Sequence, residues 1–166
     1  MTTLIRTPHP AVAPAPLSGE TARRLRSANL AAALFHFVSA VLFLTISTEF
    51  DLPITASFPT EDPAITESLV PAEVLTDVTI GDGVAAVSLL SGLFHLLVGT
   101  VANGTYNRAL AATQNPFRWI EYSLSSTLMI VLIIMLLGDY DIGALIGVAA
   151  ANVSMILFGW LMERHN

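Results

Sequence analysis

Arg118, Glu121, Ser125, Leu128 and Leu132 recur at intervals of three and four residues in an otherwise apolar stretch. On a helix these positions share one face, so Arg118 is expected to pair with Glu121 and the pair to point away from lipid. A second stretch carries Ser88, Ser91, His95 and Gly99 as a seam of small and polar side chains, and in a third His36 shares a face with Asn29, Ser39 and Phe43. A fourth stripe holds Ala149, Asn152, Ile156, Gly159 and Glu163. Two imidazoles, a carboxylate and an amide on four apolar segments could meet around one polar cavity, and intramembrane clusters of this kind handle protons or a charged cofactor. A purely structural reading stays open beside this one. Glu121 is about two turns from its helix start and could be an interfacial carboxylate held by Arg118. Either histidine could be an ordinary interhelical hydrogen-bonding contact, Asn152 likewise, and Glu163 next to Arg164 reads as a solvated helix end.

The segments that must position these groups are membrane spans. Of 166 residues 54% are hydrophobic and 12% charged, against roughly 25% charged in soluble domains. Almost uncharged runs of membrane-crossing length extend over about Ser27–Ser47, Ile80–Val101, Arg118–Leu137 and Ile142–Met162, each close to the roughly 20 residues a bilayer demands. Asn115 followed by Pro116 marks the start of the third, an N-cap with proline at the first helical position. The predicted architecture is an all-α integral membrane protein of four transmembrane helices.

Orientation follows from the basic residues. All seven are arginines, at 6, 23, 24, 26, 108, 118 and 164, and the chain contains no lysine. Every arginine falls on one side of the four spans, which places both termini in the cytoplasm under the positive-inside rule. The opposite side receives the acidic segment 48–79 and a short turn through Asp139 and Asp141. Within the acidic segment Phe50, Leu52, Ile54, Ala56 and Phe58 alternate with polar residues and Pro53, the pattern of a strand, so a small extracellular hairpin is expected. Residues 1–26, with four prolines among alanines before Gly19, are expected to form a disordered cytoplasmic tail ahead of the transmembrane region 27–166. No cleavage site follows the first apolar run, so no processing is expected. The glycosylation-like triplet Asn103-Gly104-Thr105 lies on the arginine side, where that modification does not occur.

Several functions are disfavoured. There is no cysteine for zinc clusters or thiol chemistry. No HExxH, GxSxG or Walker pattern occurs, and the histidines are too scattered for a metal site. The net charge of −6, without a basic stripe, speaks against nucleic acid. The chain is expected not to be an enzyme, and a multi-pass protein of the cell membrane is the reading that remains.

The run Arg118-Trp119-Ile120-Glu121-Tyr122-Ser123 resembles the third-helix signature of heliorhodopsins, microbial rhodopsins of inverted membrane orientation. Asn29–Thr60 (NLAAALFHFVSAVLFLTISTEFDLPITASFPT), Gly92–Val98 (GLFHLLV) and Asn152–Glu163 (NVSMILFGWLME) resemble that family's first, second and fourth helices and the beginning of its extracellular loop. The resemblance implies all-trans retinal as cofactor, with Glu121 as the Schiff-base counterion and His36 and His95 in the adjoining polar cavity. It implies that Arg118 and Glu163 belong to a cytoplasmic-side polar network and that Asn152 and Ile156 lie beside the chromophore. Tyr122, Ser125 and Met129 are added to the cofactor-binding set by helical spacing. The family senses light without pumping ions, and its members form dimers in which the extracellular loop takes part. They have seven helices and attach retinal through a lysine on the last. The four spans and the absence of lysine therefore imply the amino-terminal portion of such a receptor: a truncated gene, a fragment, or one part of a split protein whose partners are the remaining helices or a second copy. The rival expectation is a four-helix membrane scaffold or assembly subunit without a chromophore.

Overall fold

The computed structural model describes residues 15–57 and 72–165, and its elements run α1 (Gly19–Ile46), β1 (Asp51–Ala56), β2 (Glu73–Thr79), α2 (Ile80–Gly99), α3 (Asn103–Ala111), α4 (Pro116–Leu136) and α5 (Ile142–His165). Helices α1, α2, α4 and α5 are long and apolar enough to cross a membrane, as the sequence predicts. Most of their apolar surface is left uncovered within the molecule. That is the condition of helices whose solvent is lipid, where backbone groups are satisfied internally and side chains need not be buried in protein.

Helix α1 starts earlier than the expected span. It begins at Gly19, with the Ser18 side chain accepting from the Thr21 backbone N–H and Glu20 in the first turn. This N-cap carries the helix through the arginines before the apolar run begins. Residues 19–26 are thus helical, while residues 1–14 of the expected disordered tail lie outside the described residues. A second departure is α3, a short helix in the connection between α2 and α4 that is too polar and too brief to register as a span. It ends on Thr113 at φ 57°, with the Gln114 N–H reaching back to the Ala109 carbonyl. Helix α4 starts as predicted: Asn115 caps it by accepting from the Arg118 backbone N–H, and Pro116 follows. It stops at Gly138, φ 95°, where the Asp139 N–H returns to the Ile134 carbonyl, a left-handed closure that glycine accommodates without a Cβ penalty. Asp141 then caps α5 through the Gly143 and Ala144 N–H groups.

The predicted hairpin is present. Strands β1 and β2 pair antiparallel, Leu52 opposite Val78 and Ile54 opposite Thr76, with an irregularity between Ile54 and Thr55. There the Thr55 N–H leaves the ladder and donates to the Tyr140 carbonyl in the α4–α5 turn, at 2.8 Å. Leu52 and Ala56 are buried, in keeping with the alternation in the sequence, whereas Phe58 lies outside the described residues. Leu52 joins Ile80, Leu132, Met135 and Leu145 in the main apolar cluster, which sits at the hairpin end of the bundle.

Packing order is α1 on α2, α2 on α4, and α4 on α5. Small residues permit the closest approach. At Gly92 a Cβ would meet His36 Cβ and the Phe37 ring at 3.3 Å, and at Gly99 it would meet Leu30 Cδ2 at 2.9 Å. This close contact is what brings the polar seams of α1 and α2 face to face.

Candidate functional site

Two helices, α2 and α4, hold the carboxylate of Glu121. Glu121 Oε1 accepts from Ser91 Oγ of α2 at 2.6 Å and from Ser125 Oγ, one turn along α4, at 2.8 Å. The helical period explains the second donor, since Ser125 follows Glu121 by four residues, and Ser91 lies on the side of α2 that packs on α4. Glu121 Oε2 has no hydrogen bond among the described residues, and it is not a sealed, unsatisfied atom. Glu121 instead lines a cavity of about 230 Å³ together with Asn29, His95, Tyr106, Arg118 and Tyr122, toward the arginine end of the bundle. Tyr106 of α3 packs edge-on against Phe117 of α4, with ring centroids 5.9 Å apart, so the unpredicted helix closes part of this cavity.

One turn along the α2 seam from Ser91, His95 stacks on His36 of α1 with centroids 5.5 Å apart and planes 13° from parallel. His95 Nδ1 lies 2.8 Å from Asn29 Oδ1. Asn29 is buried, and its amide nitrogen donates to the Leu25 carbonyl at 2.8 Å. The two imidazoles, the carboxylate and the α2 serine thus form one layer across α1, α2 and α4.

The expected Arg118–Glu121 pair is not formed. Arg118 Nη2 lies 3.2 Å from Glu163 Oε1 on α5, and this is the salt bridge among the described residues. Spacing of three along a helix permits a contact but does not compel it, and Glu163 has more to offer. It also accepts from the Trp119 indole N–H at 2.6 Å and from the Asn115 backbone N–H at 3.0 Å, while the Arg118 guanidinium lies 4.5 Å over the Trp119 ring. Glu163 is therefore not a free solvated end: it supplies a charged acceptor to the N-terminus of α4, where an anion is favoured. Among the described residues Glu121 is left with hydroxyl partners and no cation.

Asn152 does not join the Glu121 layer either. Its amide donates to Ser126 Oγ at 3.0 Å and Thr127 Oγ1 at 2.8 Å, tying α5 to α4 on another side. Ile156 is buried in the α5 contact, and Met129 is exposed on α4. Of the sequence-derived set, Glu121, His95, Arg118 and Tyr122 border the cavity, with His36 and Ser125 directly behind His95 and Glu121. Asn152, Ile156, Met129 and Glu163 stand apart from it. One member of the layer, Ser91, and the partner of His95, Asn29, are missing from that set. Ser91 was visible in the α2 seam, and Asn29 on the same face as His36, but neither carries a charge that would single it out.

These features define a multi-pass membrane protein with a polar layer between its helices. A family model for heliorhodopsin matches residues 25–166, and the chain belongs to the heliorhodopsin family, membrane photoreceptors of the rhodopsin type. Comparison with curated proteins returns no match.

Proposed function

We propose that these four helices are the amino-terminal part of a heliorhodopsin-type light sensor that signals without pumping ions, with Glu121 as its counterion. The observation that carries this reading is the state of Glu121: an intramembrane carboxylate pinned through one oxygen by two hydroxyls, without an ion pair among the described residues, and bordering a cavity. A charge so placed is costly unless something balances it. The residues meet half of what covalently held retinal needs. They supply the balancing anion and the adjoining polar chamber, but all 166 residues lack the lysine that would carry the chromophore. Retinal, when bound, supplies light absorption and a cation at its point of attachment. In our reading that attachment comes from helices outside these residues, and the chain acts by holding the negative charge of Glu121 in place and offering His95 and His36 as sites for a proton.

The test is reconstitution. All-trans retinal added to this chain alone should give no red-shifted visible band, and co-expression with a lysine-bearing helix set of the same family should give one. Glu121→Gln should then shift or abolish that band. A red-shifted band from the isolated chain would contradict the proposal, and a co-expressed complex whose colour ignores Glu121→Gln would favour a scaffold role.

A further inference from the structure

The hydrogen bonds around Asn29 determine which nitrogen of His95 carries the proton. Asn29 Nδ2 lies 2.8 Å from the Leu25 carbonyl. The reversed amide would set two acceptor oxygens against each other at that distance, so the orientation is fixed by chemistry. Asn29 Oδ1 is consequently the atom that faces His95 Nδ1 at 2.8 Å, and it can only accept. His95 must donate from Nδ1. In a neutral imidazole the other nitrogen, Nε2, then bears the lone pair, the reverse of the tautomer that histidine ordinarily prefers in water.

We propose that Asn29 is a positioning residue that locks His95 in the Nδ1–H tautomer and leaves Nε2 as its one proton-accepting atom. Both residues border the cavity that Glu121 also lines, and Asn29 is buried at 8% exposure, so water competes poorly for its carbonyl oxygen. The titratable and charged groups that face His95 are His36, stacked on its ring, and, across the shared cavity, Glu121, Arg118 and Tyr122 of α4 and Tyr106 of α3. Because Nδ1 is committed to Asn29, any proton that His95 takes up enters at Nε2. The tautomer follows from the hydrogen bonds alone; its use as a one-sided proton acceptor rests on the cavity reading given above.

The experiment needs no chromophore, so its failure is distinct from failure of the photoreceptor proposal. The full chain, labelled with ¹³C,¹⁵N-histidine and embedded in lipid nanodiscs at alkaline pH, is examined by magic-angle-spinning NMR, and His95 is assigned by difference against His95→Gln. A pyrrole-type Nδ1 correlated with Cγ and a pyridine-type Nε2 correlated with Cδ2 is the expected result. Asn29→Leu should move His95 to the Nε2–H form or to a mixture, while Asn29→Asp, which keeps an acceptor oxygen, should retain Nδ1–H. A wild-type His95 that is Nε2–H or averaged between tautomers would overturn the proposal. So would an Asn29→Leu protein that stays purely Nδ1–H or an Asn29→Asp protein that loses it. Should Asn29→Leu fail to fold, the wild-type and Asn29→Asp spectra decide alone.

Discussion

Ser91 and Ser125 share a single acceptor atom, Glu121 Oε1, and that sharing makes their contributions interdependent. Interhelical hydrogen bonds in membranes average about 0.6 kcal/mol, but a charged acceptor raises the value to roughly 1.5–3 kcal/mol. Ser91→Ala and Ser125→Ala should each lower stability by about 1 kcal/mol, and the double variant by more than the sum, because the last donor to a half-buried carboxylate is the hardest to lose. Unfolding in mixed detergent micelles measures this; strictly additive losses would mean that water replaces the hydroxyls. The same residues show what the sequence could convey. Glu121, Ser125 and both histidines were legible from helical spacing, since ionisable groups in apolar runs stand out. Helical spacing pairs Arg118 with Glu121, whereas the family resemblance groups it with Glu163; spacing reveals neighbours on one helix and is silent about a carboxylate 45 residues away that also engages Trp119 and the α4 N-terminus.

At the scale of elements, the α4–α5 contact turns on Gly159, where a Cβ would lie 2.6 Å from the Trp119 ring. Gly159→Ala should push the indole off Glu163 and cost about 1–3 kcal/mol, as overpacking does, and a blue shift or quenching change in Trp119 fluorescence would report the displacement against a Trp160→Phe background. Thr113 ends α3 in the left-handed region despite a β-branched side chain. Thr113→Gly should therefore stabilise the protein by roughly 0.5–1 kcal/mol, read as a higher detergent midpoint. The four long helices and the hairpin were recoverable from length, apolarity and alternation. Helix α3 was not, because nine residues from Asn103 to Ala111 carry too little apolar surface to signal a span, and the early start of α1 was hidden by reading its arginines as the limit of the helix when they are only the limit of the apolar run.

For the whole molecule, the described arginines gather at the end of the bundle opposite the hairpin, and the proposed orientation puts them in the cytoplasm. The absence of native cysteine makes this directly measurable. Glu73→Cys on β2 should react with a membrane-impermeant maleimide in intact cells, and Ala112→Cys beyond α3 only after lysis; the opposite pattern would reverse the orientation. One connection bears on how such a bundle moves. Thr55 joins the hairpin to the α4–α5 turn at one membrane face, and Glu163 joins the α5 terminus to the start of α4 at the other. A helix pair fastened at both extremities cannot scissor apart or slide lengthwise without breaking a fastening. Displacement is cheapest midway along it, where Asn152 and two hydroxyls form the bond nearest to being exchanged for another, so any rearrangement of this pair should emerge as a bow at the membrane centre and not as a gap at either surface.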